Sequence, residues 1–261
     1  MKEDYGGQRS NMEDLSMVGT LASQAEVVWP KEREILRRRV GPWPRRILDL
    51  ACGTGEALAR IRGEGGGGVA VGVDLFRGHL RRAAPPVAHA DARRLPFADA
   101  TFDLVLNRHM LQAVPDPLAF LVEARRVLRP GGRIHLLVED YSAILFDTVV
   151  PEDAELFRDV APRFLPRGTD LHQGRKALRQ LRAAGFSGIT VDPFVVDNQG
   201  EDRETFAAIF RFWRDGYAGT LAELLGVAEA EARRRFDGMI AAAVDPGRWC
   251  GWMLLAVGAV R

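Results

Sequence analysis

The stretch from Arg46 to Leu58 constrains the fold more strongly than any other feature of this sequence. It reads R-I-L-D-L-A-C-G-T-G-E-A-L: an apolar run short enough for a buried strand, then two glycines, then a helical pattern. Gly53 and Gly55 carry no Cβ, so the backbone can bend sharply there and a ligand can come close. Because free backbone N–H groups point out of a helix N-terminus, the stretch predicts a strand, a tight turn and a helix that cradle a ligand.

Short apolar runs and helical patterns alternate along the rest of the first half of the chain. Such alternation is typical of a parallel sheet with helices on both faces. After residue 139 helical patterns dominate, and near the N-terminus another runs from Ser23 to Val40, with Pro30 placed to start a second helix. The predicted strands are 46–50, 69–75, 87–90, 102–107, 134–139, 188–196 and a final one to 260; the main predicted helices are 55–62, 117–128, 152–164, 174–184, 206–217 and 227–243.

Composition and charge narrow the possible function classes. The net charge of +1 over 261 residues gives no sign of a surface for nucleic acid. The two cysteines, Cys52 and Cys250, predict neither a disulfide framework nor a metal site, and no carboxylate or histidine cluster has ligand spacing. No long apolar window is present, and the first residues lack the apolar core of a signal peptide. We therefore expect a cytoplasmic protein without membrane, nucleic-acid or metal partners; its oligomeric state cannot be read from the sequence.

Polar or glycine residues stand where four of the predicted strands end. They are the loop 51–55, Asp74, Asp91 and Asn107. Ligands of an open parallel sheet bind outside the carboxyl ends of its strands, so these groups are expected to share one site. Asp74 follows the glycine turn by about 20 positions, where an acidic residue suits the hydroxyls of a ribose.

Four ordered motifs resemble the class I S-adenosylmethionine-dependent methyltransferases, especially the group related to the menaquinone and ubiquinone methyltransferases. The resemblance covers Arg46 to Glu139, about a third of the chain, and four linked motifs are far more specific than one glycine turn. The motifs are Asp49-Leu-Ala-Cys-Gly-Thr-Gly55, Val71-Gly-Val-Asp-Leu75, Asp91-Ala-Arg-Arg-Leu-Pro-Phe97 followed by Phe102-Asp-Leu-Val, and Arg126-Val-Leu-Arg-Pro-Gly-Gly132.

The resemblance implies S-adenosyl-L-methionine as the cofactor and assigns roles residue by residue. The loop would pass under the methionine and ribose, Asp74 would accept from the ribose hydroxyls, and Asp91 from the adenine amine. Ala51 stands where the family has its first loop glycine, and Gln112 and Ala113 replace a histidine pair, so no general base is inherited there. The implied cofactor-binding residues are Ala51, Cys52, Gly53, Thr54, Gly55, Asp74, Leu75, His79, Asp91, Ala92 and Asn107.

Three residues are candidates for a catalytic base, and each has an ordinary structural alternative. His109 lies just past a strand end, Tyr141 belongs to the trio Glu139-Asp140-Tyr141 at the next one, and His172 follows in a loop. A histidine in such a position is more often a packed or solvent-facing residue than a base.

The expected fold class is α/β: a Rossmann-like three-layer sandwich with a mostly parallel seven-stranded sheet and an added helical lid. We expect a single methyltransferase domain in which about fifty residues separate the last two strands, where the family usually has a short hairpin. The segments are an N-terminal helical cover (1–44), a cofactor-binding core (45–139), a helical substrate lid (140–185 and 197–246) and final strands (186–196 and 248–261).

The predicted function is transfer of a methyl group from S-adenosylmethionine to a small organic molecule through an oxygen, nitrogen or carbon acceptor. Two alternatives keep the cofactor: a methyltransferase acting on RNA, DNA or protein, and a non-catalytic cofactor-binding protein. A nicotinamide-dependent dehydrogenase is disfavoured, because its turn needs G-x-G-x-x-G and this one reads A-C-G-T-G-E-A.

Overall fold

A computed structural model describes residues 15–66 and 68–261; the part of the predicted N-terminal cover at residues 1–14 lies outside them. The strands are β1 Arg46–Leu50, β2 Val69–Asp74, β3 Val87–His89, β4 Phe102–Arg108, β5 Leu128–Phe146, β6 Ser187–Asp197 and β7 Cys250–Val260. The α-helices are α1 Leu15–Val40, α2 Glu56–Gly63, α3 Arg77–Leu80, α4 Pro117–Val127, α5 Pro151–Ala154, α6 Leu156–Phe164, α7 Ala177–Ala183, α8 Arg203–Leu225 and α9 Glu229–Val244.

Within the described residues the strands form one seven-stranded sheet in the order β3-β2-β1-β4-β5-β7-β6. The pairs β1–β2, β1–β4, β2–β3 and β4–β5 are parallel. β7 runs antiparallel to β6, because Asn198 N–H donates to Cys250 C=O at one end and Ser187 Oγ to Val260 C=O at the other. The order reverses direction between β1 and β4, which is where an open α/β sheet binds its ligand. The predicted fold class is confirmed.

The chain divides into two compact units. We call residues 29–138, 173–193 and 255–261 the core unit, and residues 15–28, 139–172 and 194–254, as far as they are described, the helical unit.

The core unit has an apolar layer on each face of its strands. On one face Ile47, Leu104 and Leu106 pack with Leu36 of α1 and Leu58 of α2. The other face buries a second set against α4 and α7: Leu48, Leu50, Val105, Phe120, Leu121, Ala177 and Leu181. Two layers around a sheet give the three-layer arrangement that the alternating pattern predicts.

The helical unit is packed around aromatic rings and close helix contacts. Trp213 of α8 stacks on Tyr141 with centroids 5.7 Å apart and meets Trp252 edge-on. A Cβ added to Gly216 of α8 would lie 2.4 Å from Ser16 Oγ, so α8 approaches α1 closely there. The other rings of the cluster are Phe146, Phe157, Phe206, Phe210 and Phe236.

Two elements differ from the predicted ones. α1 is a single helix through Pro30, which does not start a second one; its ring is exposed, and buried Val27, Val28, Ile35 and Leu36 hold the helix on either side. β5 begins at Leu128 and ends at Phe146, well beyond the predicted 134–139. The Arg129–Gly132 segment is an irregular part of the strand, with a left-handed Gly131 (φ 74°) and a register shift against β4. It is tied to the sheet because Gly131 N–H donates to Arg261 C=O and Gly132 C=O accepts from Arg261 N–H.

Candidate functional site

The loop between β1 and α2 is a sharp turn built from left-handed residues. Ala51, Gly53 and Gly55 have φ values of 56°, 54° and 83°, a region that glycine adopts freely and alanine reaches only with strain. A Cβ at Gly55 would also lie 3.2 Å from Ala83 Cβ. Cys52 is buried with its N–H donated to Val73 C=O, and burial raises the pKa of its thiol. Cys52 is therefore a packing residue of the turn and is held as an unreactive thiol.

Asp74 braces this loop from the end of β2. Its Oδ2 accepts the N–H of Gly53 at 2.8 Å, and its Oδ1 accepts the N–H of Phe76 at 2.7 Å. The side chain of His79 lies alongside, with Nδ1 3.6 Å from Asp74 Oδ1, and packs edge-on against Phe76. Carboxylate oxygens accept more than one hydrogen bond each, so Asp74 fixes the loop and keeps acceptor capacity for ribose hydroxyls. The contact of Phe76 with Asp74 was not predicted, because it is made by the backbone N–H, which every residue except proline carries.

Asp91 and its neighbours occupy the turn after β3. The guanidinium of Arg93 donates to both oxygens of Asp91, with Nη2 2.7 Å from Oδ2, and Arg93 N–H donates to Oδ1. The predicted adenine-binding carboxylate is therefore engaged by a cation two residues away. Leu75 C=O lies 3.0 Å from His89 Nε2, and Ala92 is half-buried beside the turn.

Two buried oxygens near the loop find no hydrogen-bond partner among the described residues. Asn107 is fully buried at the end of β4; its Nδ2 donates to Leu50 C=O at 2.8 Å, and its Oδ1 is unpaired. Thr54 Oγ1 in the loop is likewise unpaired. Buried polar atoms are normally satisfied, so unpaired acceptors beside a glycine turn and a buried carboxylate fit an ammonium- and hydroxyl-bearing nucleoside. These residues fit the cofactor that the resemblance implies.

A buried charged group on the α1 face of the core unit was not predicted at all. Glu32 of α1 is completely buried, and Arg108 Nε donates to both of its oxygens at 3.1 and 2.8 Å. His135 Nε2 lies 3.2 Å from Glu32 Oε1. Burial alone would raise the pKa of Glu32, but Arg108 and His135 outweigh it and hold that pKa at about 2. Residues this far apart in sequence give no motif that could have revealed the group.

Asp49 lies on the same face and behaves in the opposite way. It pairs in register with Leu106 and is buried. Burial raises its pKa to about 7, against the lowering effect of Arg108, and the charges of Glu32 and Asp74 add to the rise. The loop thus begins beside a carboxyl that titrates near neutral pH.

The three candidate bases fall in different surroundings. His109 has a left-handed backbone (φ 53°), and its N–H donates to Leu137 C=O in the core unit. In the helical unit Tyr141 N–H donates to Leu171 C=O, which places its backbone next to that of His172. His172 is half-buried in a turn whose backbone is fixed by Asp170. Tyr141 and His172 are therefore near each other along adjacent backbone segments.

The helical unit contains an open cavity of about 390 Å³. Of the predicted trio, Tyr141 lines it, whereas Glu139 and Asp140 are buried and Asp140 accepts from Ser142. The walls combine apolar and ionic groups: Tyr141, Ser142, Ile144, Leu145, Phe146, Asp147, Ala154, Glu155, Arg158 and Trp249. Such a volume lies within the range of small-molecule sites.

Within residues 15–66 and 68–261, no three His, Cys, Asp or Glu side chains are grouped so that they could hold a metal ion. None of the helices in that part of the chain combines the length and apolar character needed to cross a membrane.

Known proteins share both sequence and fold with this chain. A family model described as a methyltransferase domain matches residues 48–136. A demethylmenaquinone methyltransferase of Corynebacterium kroppenstedtii is 31% identical over 167 residues, 62% of this chain and 66% of that enzyme. Its Staphylococcus aureus (strain JH9) namesake is 31% identical over 170 residues, 57% of this chain and 70% of that enzyme.

A solved structure supports the fold. A phosphoethanolamine N-methyltransferase of Haemonchus contortus, in complex with S-adenosyl-L-methionine, aligns with a TM-score of 0.52 at 19% identity. The match covers 89% of this chain and 52% of that chain, so this protein spans about half the length of the nematode enzyme.

Proposed function

Because the chain belongs to the class I S-adenosylmethionine-dependent methyltransferases, we propose that it transfers the methyl group of S-adenosyl-L-methionine to a small organic molecule. The braced loop carries this proposal: Asp74 holds Gly53 N–H beside the unpaired oxygens of Asn107 and Thr54. S-adenosylmethionine supplies an electrophilic methyl group on its sulfonium. We assign the ribose to Asp74, the adenine to the Asp91 turn and the methionine end to Asn107.

The class of acceptor is inferred from the helical unit and the relatives. The cavity beside Tyr141 has the volume of a small-molecule site and is lined by aromatic and ionic groups. The relatives named demethylmenaquinone methyltransferases favour an aromatic or quinone-like acceptor. The net charge of +1 favours a small molecule over nucleic acid.

The chain's own residues would act mainly by alignment. An in-line displacement needs its reacting atoms held at the right distance and angle, with water excluded. We propose that the β1–β4 part of the core unit orients the methyl donor, while the predicted lid selects the acceptor; of its segments, 140–172 and 197–246 belong to the helical unit and 173–185 to the core unit. The family model matches residues 48–136. Residues outside this range are where we expect differences in acceptor choice between this chain and its relatives.

An oxygen or nitrogen acceptor also needs to lose a proton. Tyr141 lines the cavity and lies next to His172 through the Leu171 hydrogen bond, so these two are candidates for removing that proton in the helical unit. His109 is the candidate in the core unit. A carbon acceptor activated by its own ring would need none of them.

Two measurements test the proposal. Calorimetry with S-adenosylhomocysteine tests the cofactor, and incubation with methyl-labelled cofactor and a metabolite library, followed by mass spectrometry, tests the acceptor. Binding of NADH without binding of S-adenosylhomocysteine would contradict the cofactor assignment. Label found only in RNA or protein of a cell extract would identify a macromolecular methyltransferase, and tight binding with no transfer would identify a binding-only protein.

A further inference from the structure

The side chain of Arg108 has more hydrogen-bonding capacity than its surroundings use. It is 11% exposed, and its Nε is committed to Glu32. Its Nη2 is buried, and the described part of the chain offers it no hydrogen-bond partner. The guanidinium carbon also lies 5.8 Å from the ring centroid of Trp29. A buried cationic N–H without an acceptor is costly. The guanidinium is therefore fixed through its Nε, and its Nη2 is available to donate to a ligand.

The register of the sheet places Arg108 at the edge of the cofactor loop. Leu50 pairs with Asn107 in the parallel β1–β4 ladder, so Arg108, one residue further on, is level with Ala51 at the start of the loop. Side chains alternate along a strand, and Arg108 therefore lies on the same face as Leu106 and Asp49. This is the face of the sheet on which α1 and α2 pack.

The order of strands fixes which end of an extended nucleoside reaches this position. Asp91 follows β3, Asp74 ends β2, the loop follows β1, and Asn107 and Arg108 end β4, in the spatial order β3-β2-β1-β4. Adjacent strands lie about 4.8 Å apart, so a ligand with its ribose at Asp74 has its other end near β4. That end is the methionine, whose carboxylate is the cofactor's one anionic group.

We propose that Arg108 is a cofactor-binding residue whose free Nη2 donates to the methionine carboxylate, with Glu32 holding the guanidinium in position from α1. This inference rests on the proposed function. Complementary chemistry supports it: in this arrangement the methionine ammonium faces the unpaired Oδ1 of Asn107, and the methionine carboxylate faces the guanidinium of Arg108. His135 also hydrogen-bonds to Glu32, so Arg108 is not the only group that stabilises this buried carboxylate.

The experiment compares two ligands that differ only in the carboxylate, S-adenosylhomocysteine and its decarboxylated analogue, by calorimetry on the full chain. A hydrogen bond to a charged group predicts that the wild type prefers S-adenosylhomocysteine by roughly 10- to 100-fold. Arg108→Gln should abolish the preference while affinity for the analogue stays unchanged. Arg39→Gln is the matched control: Arg39 is also 11% exposed and paired, with Asp192, in the same unit, and its loss should leave the preference intact.

Two further variants keep the test decisive if Arg108→Gln leaves Glu32 uncompensated and fails to fold. Glu32→Gln/Arg108→Gln removes both charges and should show no preference; Arg108→Lys keeps the charge without the planar fork and should show a reduced one. A variant at Arg108 that retains the full preference, or that weakens both ligands equally, overturns the inference. A wild type that binds neither ligand would contradict the proposed function itself.

Discussion

Two buried carboxyls on one face of the core unit, Glu32 and Asp49, have pKa values displaced in opposite directions. Arg108 lies near both, but it hydrogen-bonds to Glu32 and not to Asp49. With Arg108 Nε–H donated to both of its oxygens, Glu32 retains its charge and has a pKa of about 2; with burial dominant, the pKa of Asp49 is about 7. The close charge of Arg108, together with hydrogen bonds to Glu32, therefore decides which buried carboxyl stays ionised.

This difference predicts the pH dependence of stability. Between its ordinary pKa of 3.8 and about 7, Asp49 keeps a proton in the folded state that it loses in the unfolded one. The stability it contributes is therefore present at low pH and is lost as pH rises through this window. Urea unfolding should show Asp49→Asn gaining stability relative to the wild type from pH 4.5 to pH 7.5.

The Glu32→Gln variant is the control with the opposite sign. Because the pKa of Glu32 is lowered on folding, its ionised carboxylate stabilises the folded state above pH 4.5, and this contribution is lost as pH falls toward about 2. Its deficit relative to the wild type should thus be constant from pH 4.5 to pH 7.5. A flat difference for Asp49→Asn over the same range would show that Asp49 is not buried as a neutral acid.

Asp74 gives a second prediction at the residue scale. In Asp74→Asn one oxygen becomes an NH₂ group, so the N–H of Gly53 or of Phe76 faces a donor. Loss of a hydrogen bond to a charged group should weaken S-adenosylhomocysteine binding by roughly 10- to 100-fold and stability by about 1–3 kcal/mol. Asp99→Asn, at a carboxylate whose side chain is 71% exposed, should change neither. Equal affinity for both variants in calorimetry would remove Asp74 from the site.

At the scale of elements, glycines set how closely the helices of the helical unit approach. Gly238 of α9 is packed against α5: an added Cβ would lie 1.9 Å from Asp153 Oδ2. Asp153 in turn pairs with Arg234 at 3.0 Å. Gly219 of α8 has room, since its nearest atom would be Glu229 Oε2 at 3.5 Å.

Gly238→Ala should therefore destabilise the protein by about 1–3 kcal/mol, because overpacking displaces Asp153 from Arg234. Gly219→Ala should be neutral or stabilising by up to about 1 kcal/mol, since alanine is the better helix former. Thermal unfolding followed by circular dichroism measures both. If the two substitutions had equal effects, the close approach of α9 to α5 would be refuted.

The elements show where sequence reasoning succeeds and where it stops. β1, β2 and β4 were predicted to within a residue, because buried apolar runs bounded by glycine or aspartate are local signals. α1 was predicted as two helices because proline is common in the first turn of a helix. The structure shows one helix, in which the ring of Pro30 is exposed while neighbours such as Val28 and Leu36 are buried. β5 was predicted too short, since its pairing with Arg261 depends on a strand end far away in sequence.

The same division applies to the site. The positions of the loop, Asp74 and Asn107 at the ends of neighbouring strands could be predicted from local spacing; their roles in cofactor binding stay predictions. Arg108 was not, because its significance comes from Glu32 on α1, 76 residues earlier, and charged pairs of that kind have no periodicity. Asp91 was predicted to accept from the adenine amine, and that role stays a prediction; its pairing with Arg93, two residues further on, could not be inferred from the residue types of a turn.

At the scale of the whole molecule, the two units divide the proposed tasks. The residues assigned to the cofactor all belong to the core unit, whereas the cavity beside Tyr141 belongs to the helical unit. Binding of the methyl donor and selection of the acceptor should then respond to different substitutions. This separation can be tested without dividing the chain.

Trp249 is the residue to change, because it lines the cavity and is 45% exposed. Once the metabolite screen has identified an acceptor, Trp249→Ala should raise its KM by roughly 10-fold, since a lost aromatic contact removes apolar burial and ring stacking. The Kd for S-adenosylhomocysteine should not move. Met253→Ala is the matched control, an apolar residue of similar exposure (38%) that does not line the cavity. Equal effects of both variants on KM would show that the acceptor does not bind in this cavity. An effect of Trp249→Ala on cofactor affinity as large as its effect on KM would contradict the separation of donor binding from acceptor selection.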